Sequence, residues 1–433
     1  MCSCGFCINL LMITELPHTS KTVWCHQTIC GFDDMIYLNT YRRAQSDGSA
    51  PYWPLWSACF LGFSAFGMTI QVMPAYAHEQ LGAGAIAAGL AVTIGSLATM
   101  ISRPVSGRFA DQSGGRRVAM AGAILALIGG IGHAVATNLP VLVLARLFLG
   151  AGEGALFTGS VGWILAHTAQ SQRGKVAGHF GLAMWMGLAS GPMLGTALMA
   201  IGTYRDVWIA ASVIPMLSWG LVASTRTESR ISSGGTNIRR ALFPRAAWVP
   251  GASGVFASVG YGVIAAFLVP RFAALGFAGQ NFALTVFGIA FMMTRFLGSG
   301  YADRFGARPV LLSAFLVESV GLAGLFLTHR ESLAFASTAL TAAGLSLLIP
   351  SVTSLVTEAA DPHERTAALG AVTSAWDLGV AVGGPLGGLV AGASNAGPFA
   401  LGAVAALIAI APLAINPKRE RAFVPAKEAP RCD

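Results

Sequence analysis

Twelve long apolar segments separated by short polar loops constrain this chain more than any other feature. Each is about 20 to 30 residues long, enough for a helix rising 1.5 Å per residue to cross a hydrocarbon core of roughly 30 Å. The segments are 53–77, 84–106, 116–136, 139–166, 173–201, 205–224, 247–274, 279–300, 307–328, 331–359, 363–392 and 396–416. Charged residues make up only 11% of the chain, whereas soluble domains carry about 25%. The sequence therefore predicts a polytopic membrane protein.

The composition of the segments favours helices over a membrane β-barrel. They are rich in glycine and alanine, which allow helices to approach closely inside a bilayer. They lack the alternation of apolar and polar residues, with a period of two, that marks barrel strands. An all-α fold follows.

Basic residues are concentrated in every second loop. The loops after the second, fourth, sixth, eighth and tenth segments hold Arg108, Arg116, Arg117, Arg173, Arg226, Arg230, Arg239, Arg240, Arg245, Arg304, Arg308 and Arg365. The intervening loops hold little beyond Arg205, Arg271 and Arg330. By the positive-inside rule, both termini are predicted to be cytoplasmic. The net charge of +8 reflects this topology, and no separate basic domain points to nucleic acid.

The N-terminal segment contains five of the seven cysteines, before residue 31. The CxxC spacing of Cys4 and Cys7, with Cys25 and His26, is compatible with a small zinc site. The interpretation that we favour assigns the segment no metal, since Met35 offers an alternative start just before the first apolar segment. Residues 1–34 are expected to be dispensable for transport, and we predict no metal and no cofactor.

The chain consists of two copies of one plan, offset by 192 residues. Scarce charged residues and glycines recur at this offset: Arg103 and Arg295, Asp111 and Asp303, Gly114 and Gly306, Arg116 and Arg308, Arg173 and Arg365. We predict an N-terminal half at 51–224 and a C-terminal half at 247–417, each with six spans. They are joined by a linker at 225–246 and flanked by an extension at 1–50 and a tail at 418–433. Parallel repeats of this kind place a substrate site at their interface near the middle of the bilayer.

The string SGRFADQSGGRR, residues 106–117, carries a family resemblance. It resembles the signature between the second and third helices of transporters of the major facilitator superfamily. The matching positions are Gly107, Asp111, Gly114, Arg116 and Arg117, and the second copy keeps Asp303, Arg304, Gly306 and Arg308. Gln112, Ser299 and Pro309 depart from the pattern. The resemblance covers about residues 51–417 and implies twelve helices in two pseudo-symmetric six-helix bundles.

The resemblance also implies a role for the signature. In the family this cluster acts as a cytoplasmic latch that holds the two halves together in the outward-facing state. Asp111 would accept hydrogen bonds from an arginine or from the N-terminus of a helix. The alternative is that these arginines only fix the topology.

The fifth apolar segment contains GLASGPMLGTAL, with Gly187, Gly191, Pro192 and Gly195. This resembles the antiporter motif of drug-efflux members of the superfamily, except that Thr196 replaces the final glycine. The resemblance favours export. A plain helix kink is the competing interpretation, because proline removes a helix hydrogen bond.

Two intramembrane acids are candidates for proton coupling. In RLFLGAGEG, which resembles the fourth-helix motif of proton-linked members, Arg146 and Glu153 are seven residues apart and so share one helix face. Asp377 is the clearest buried acid of the second half, whereas Glu318 is interpreted as structural, paired or shielded from lipid. Charges inside the membrane are costly and normally face a cavity or a partner. A static Arg146–Glu153 pair remains the alternative to coupling.

Further polar groups are predicted at the cavity. These are Gln71 in the first segment, Tyr261 in the seventh and His179 in the fifth. Glu153 and Asp377 slightly favour cationic or zwitterionic cargo.

The combined motifs are most similar to bacterial arabinose-efflux-permease-like exporters. They predict a proton-coupled antiporter in the bacterial cytoplasmic membrane, monomeric, exporting a drug, sugar derivative or metabolite. The alternative is a proton symporter that imports a sugar or an organic acid. No HExxH, GxSxG or Walker motif lies on the spans, so no enzyme is predicted.

Overall fold

The protein is described by a computed structural model covering residues 51–168, 173–225, 244–298, 300–360 and 365–415. Helices joined by short turns make up the described backbone, with no strand among these residues. The predicted extension 1–50 with its cysteines, residues 226–243 of the linker, and the tail 418–433 lie outside the described residues.

The helices coincide with the twelve predicted segments. In the N-terminal half they are α1 (Tyr52–Glu79), α2 (Ala85–Ser113), α3 (Gly115–Ala134), α4 (Leu139–Ala166), α5 (Arg173–Ile201) and α6 (Tyr204–Ala223). In the C-terminal half they are α7 (Trp248–Ala274), α8 (Ala283–Gly298), the short α9 (Tyr301–Phe305), α10 (Ala307–Leu327), α11 (Glu331–Ala359), α12 (Arg365–Ala391), α13 (Gly397–Ile408) and α14 (Ile410–Ile415). The last predicted segment is thus α13 and α14 together, interrupted at Ala409.

Eleven spans within the described residues are long and apolar enough to cross a membrane, and α12 is the exception. This helix has 27 residues but is less apolar, since it carries Asp377 and several small polar residues. Its position explains the difference, because α12 packs between α2 and α7 and therefore needs less lipid-facing surface.

The two halves repeat the same packing. In the N-terminal half α1 packs on α5 and α6, α4 packs on α2 and α3, and α3 packs on α6. The corresponding helices of the C-terminal half make the same pairs, with α7 on α12 and α13, α11 on α8 and α10, and α10 on α13. The 192-residue offset therefore describes a repeat of structure, and the prediction of two pseudo-symmetric six-helix bundles is confirmed.

Matching glycine turns mark the signature in both halves. Gly114, between α2 and α3, has a φ of 93°, and Gly306, between α9 and α10, has a φ of 88°. Residues other than glycine rarely adopt this left-handed region, because their Cβ atom clashes with the backbone. The end of the bundle that carries these turns is called the signature end below, and the other end is called the opposite end.

Replacing Gly114 with alanine is expected to lower the free energy of unfolding by about 1–2 kcal/mol, the usual strain of a side chain in this conformation. Thermal unfolding of the purified protein would measure the loss. Gly162→Ala is the matched control, because a Cβ atom at Gly162 in α4 would meet open space. Equal losses in the two variants would refute the strain argument.

The halves meet mainly at two helix pairs, α2 with α12 and α5 with α8, and α7 makes smaller contacts with α1 and α2. At the first, Gly89 and Gly384 lie so close that a Cβ atom on either would fall on the other's carbonyl oxygen. The Thr93 hydroxyl donates a hydrogen bond across this contact to the Ala381 carbonyl, at 3.0 Å. At the second, the Thr196 hydroxyl donates to the Asn281 carbonyl, at 2.9 Å.

Candidate functional site

A cavity of about 610 Å³ lies between the halves at the opposite end. Its walls come from the ends of α1, α2 and α5 in one half and of α7 and α12 in the other, together with the segment at 280–281. The volume falls in the range of small-molecule sites, about 300–1,000 Å³. A cavity of suitable size therefore lies at the interface of the repeats, but towards one end of the bundle and not at its middle, where the site was predicted.

Aromatic side chains close the space between the halves, nearer the middle of the bundle. This central aromatic cluster consists of Trp185, Tyr261, Phe287, Phe291 and Trp376. Trp185 of α5 stacks on Phe291 of α8, with ring centroids 4.6 Å apart, and meets Trp376 of α12 edge-on at 6.0 Å. Tyr261 of α7 lies 5.9 Å from both Phe287 and Trp376. A small void of about 30 Å³ lies beside the cluster and is lined by Trp185, Tyr261, Phe287 and Phe291.

A buried ion pair joins the halves next to this cluster. The Arg103 Nε atom in α2 lies 3.0 Å from Oδ2 of Asp377 in α12, and the two side chains are 14% and 9% exposed. The Arg103 guanidinium also lies over the Phe157 ring, 5.6 Å from its centroid. Sequence reasoning singled out Asp377 but missed Arg103 as its partner. Two opposite charges inside the spans of different halves were the available signal, since such charges usually pair.

The repeat contains this pair only once. The residue 192 positions before Asp377 is Trp185, and the counterpart of Arg103 is Arg295. Arg295 donates a hydrogen bond within its own half, to the Ser346 carbonyl at 3.1 Å. The otherwise symmetric contact between the halves is therefore charged on the α2–α12 side and aromatic on the α5–α8 side.

Arg146 is fully buried within the N-terminal half. Its guanidinium donates to the Val92 carbonyl at 3.1 Å and to the Thr69 hydroxyl, and it lies 4.0 Å from the centroid of the Phe66 ring. It thereby ties α4 to α1 and α2.

Glu153 lies on the same face of α4 and also points at α1, where Gly62 leaves room for its carboxylate. The side chain is 1% exposed, and neither carboxylate oxygen has a hydrogen-bond partner among the described residues. The predicted shared face is therefore present. However, the described residues show no ion pair between Arg146 and Glu153, which lie about two helix turns apart.

Some of the residues predicted to line the cavity lie in the wall of the cavity or of the small void, and the others lie in neither. Gln71 lines the cavity and Tyr261 lines the small void. His179 is exposed near the start of α5, and Arg146, Glu153 and Asp377 line neither space. The expectation of cationic or zwitterionic cargo assumed that both acids face the cavity, and it stays a prediction.

The glycines of the antiporter-like motif form the contact between α5 and α1. Cβ atoms at Gly187 and Gly191 would meet the backbone of α1, and one at Gly195 would lie 3.2 Å from the Cβ atom of Gln71. Pro192, in the same helix, lines the small void. The motif therefore positions α1, and with it Gln71, against α5.

The described contacts of the signature arginines lie within each half. Arg116 donates to the Ala223 carbonyl at the end of α6, at 2.8 Å, and Arg308 donates to the Leu413 carbonyl in α14, at 2.7 Å. Arg117 and Arg304 are exposed, and Gly107 lies loosely against Thr158. The side chains of Asp111 and Asp303 lie outside the described part of the structure. The latch between the halves stays a prediction. The hydrogen bonds of Arg116 and Arg308 each connect two helices of the same half.

Glu318 is fully buried in α10 and faces Gly260 of α7. Its carboxylate oxygens have no hydrogen-bond partner among the described residues, so of the two alternatives the structure agrees with an acid shielded from lipid and not with a paired one.

Comparison with known families decides the identity of the chain. The profile of the Major Facilitator Superfamily matches residues 55–278 and 251–431, which together span both halves. The chain belongs to the Major Facilitator Superfamily. It is accordingly a membrane transporter and not an enzyme.

Two bacterial relatives support this assignment. The chain is 32% identical over 360 residues to the MFS-type transporter YhhS of Escherichia coli (strain K12), covering 81% of this chain and 88% of the relative. It is 29% identical over 342 residues to the MFS-type transporter STM4428 of Salmonella typhimurium (strain LT2), covering 77% and 88%.

Two solved structures share the fold. A D323A mutant of the nucleoside transporter NupG superimposes with a TM-score of 0.70 and 13% identity, covering 84% of this chain and 98% of that one. The xylose transporter XylE from E. coli, in a partially occluded inward-open conformation, gives 0.70 and 14%, covering 86% and 99%.

Proposed function

We propose that this superfamily member is a proton-coupled antiporter that exports a small molecule by alternating access. It would act in a bacterial cytoplasmic membrane, with both termini in the cytoplasm. The buried Arg103–Asp377 pair is the observation that carries the proposal, because it links a group that can take up a proton to the contact between the halves.

The chemistry of the pair explains the link. Ionised Asp377 attracts Arg103 across a poorly solvated interface, which stabilises the closed contact of α2 with α12. Separating the halves would leave an ionised carboxylate inside the bundle without its partner, which costs several kcal/mol. Uptake of a proton neutralises Asp377 and removes most of this cost. The halves then part in the protonated form and close again when the proton is released.

The proposed direction rests on the antiporter-like motif. Its glycines hold α5 against α1, so that helices lining the cavity move together with the half that carries Arg103. In an antiporter, the form that carries only the proton and the form that carries only the substrate would each change access. In a symporter, the form that carries both would change access.

Inside-out membrane vesicles with an acidified lumen would test the proposal. Uncharged sugars and nucleosides, organic cations and organic anions would be added in turn, while a fluorescent amine reports the lumenal pH. An exporter is expected to release lumenal protons when its substrate is added, and an Asp377→Asn variant is expected to release none.

Right-side-out vesicles complete the test. Substrate-driven uptake of protons from the medium by these vesicles would contradict antiport and indicate the symporter that imports a sugar or organic acid. Vesicles from cells without the protein set the background in both orientations.

A further inference from the structure

The polar groups that line the cavity indicate what it binds. Its two charged side chains, Glu79 and Arg271, are of opposite sign and give the wall no net charge. Glu79 accepts a hydrogen bond of 2.8 Å from the Tyr204 hydroxyl. Arg271 points its guanidinium at the Phe326 and Thr328 carbonyls, at 3.4 and 3.3 Å, where the end of α10 presents the negative end of its dipole. The Nε atom of Arg271 is buried and has no hydrogen-bond partner among the described residues, so it is available to donate to a ligand oxygen.

The remaining polar side chains of the wall are partly engaged as well. The Thr196 hydroxyl donates its hydrogen bond to the Asn281 carbonyl, and the Nδ1 atom of His78 lies 3.3 Å from the Ala83 carbonyl. The wall also offers a ligand four carboxamides: Gln71 from α1, Gln280 and Asn281 before α8, and Asn395 after α12. These amides come from both halves of the protein.

Gln71 is the most telling of the four. Its side chain is only 6% exposed, yet its Oε1 atom has no hydrogen-bond partner among the described residues. A buried polar atom without a partner is rare in proteins and costs about 1–3 kcal/mol. Because Gln71 lines the cavity, a ligand that donates a hydrogen bond to Oε1 would satisfy it.

We propose that the cavity binds an uncharged, polyhydroxylated small molecule, such as a sugar, a polyol or a nucleoside. A hydroxyl would donate to Gln71 Oε1, and the amides of Gln280, Asn281 and Asn395 would donate to and accept from the other hydroxyls. The Phe267 ring in the same wall offers a surface for the apolar face of such a ligand. This inference rests on the transport function proposed above and names its substrate class.

Thermal unfolding of the purified full-length protein tests the inference without any proton gradient. Three groups of probes would be titrated: uncharged monosaccharides, polyols and nucleosides; tetraphenylphosphonium and related organic cations; and citrate and related organic anions. At least one uncharged hydroxylated compound is expected to give saturable stabilisation. In Gln71→Leu its Kd should rise about tenfold, the loss of a hydrogen bond worth about 1.4 kcal/mol.

Gln80→Leu is the matched control, since Gln80 is an exposed glutamine beside α1 that does not line the cavity. Its Kd should stay at the wild-type value. Asn395→Ala, in a loop, gives a second measure should Gln71→Leu fail to fold, and it is expected to raise the Kd by a smaller factor.

Stabilisation by a cation or an anion alone, by none of the probes, or equally in the Gln71 and Gln80 variants would overturn the inference. Its failure is distinguishable from failure of the proposed function. Proton-coupled export of a charged compound would refute only the substrate class, whereas binding of an uncharged ligand without proton exchange would refute only the antiport.

Discussion

Replacing Arg103 with leucine will lower the free energy of unfolding by about 3–5 kcal/mol, because it leaves the Asp377 carboxylate buried without its partner. The double variant Arg103→Leu/Asp377→Leu should recover most of the loss, since removing both charges also removes the unpaired one. Reversible denaturation in mixed micelles measures these two variants and Asp377→Leu, and the loss in the double variant minus the sum of the two single losses gives the coupling energy of the pair.

Arg295→Leu provides the control for this experiment. Arg295 is the repeat counterpart of Arg103, but its described hydrogen bond goes to a backbone carbonyl and not to an acid. We expect a loss of about 1 kcal/mol, the usual net value of one hydrogen bond. If Arg103→Leu costs no more than Arg295→Leu, or if the double variant is no better than the single one, the pair does not stabilise the contact between the halves.

Glu153→Gln should abolish proton-driven transport, with at least a tenfold loss, while changing stability by less than about 1 kcal/mol. The neutral amide has the shape of a protonated carboxyl and fits the same space beside Gly62, but it cannot exchange a proton. An ionised carboxylate without partners is costly in such a site, so Glu153 is suited to hold a proton during part of the cycle. The measurement is substrate-driven proton release from vesicles, alongside substrate exchange at equal pH, which should persist.

Glu318→Gln is the matched control for Glu153. Both carboxyls are fully buried and lack hydrogen-bond partners among the described residues, and each faces a glycine of the first helix of its half. Only Glu153 has an arginine, Arg146, on the same helix face. We expect Glu318→Gln to retain proton-driven transport. Equal losses in the two variants would mean that burial alone, and not the Arg146–Glu153 face, explains the defect.

The sequence was sufficient to predict most of the fold. Apolar segments gave the helices, and the 192-residue offset anticipated the matching turns at Gly114 and Gly306 and the repeated packing of the two halves. This succeeds because each span must satisfy its own backbone in lipid, so its existence depends on local composition alone.

The candidate site was only partly predictable. The spacing of Arg146 and Glu153 gave their shared face, but not that this face packs on α1. Arg103 and Asp377 are distant in sequence and meet only because α2 packs against α12. His179 has the right chemistry for a cavity group, yet its place near the start of α5 leaves it exposed. Such outcomes depend on the rotation and contacts of each helix, which periodicity does not specify.

The distance between the halves as a function of pH tests the central claim most directly. Spin labels at Gln112 and Phe305, exposed residues at the signature turns of the two halves, would be introduced after replacement of the seven native cysteines. Pulsed electron resonance in lipid nanodiscs then reports the distance distribution across pH. Acidification is expected to shift the distribution in the otherwise wild-type protein, and Asp377→Asn should hold the acidic distribution at every pH. A distribution that ignores pH in the wild type, or one that shifts equally in Asp377→Asn, would contradict the coupling of protonation at Asp377 to the contact between the halves.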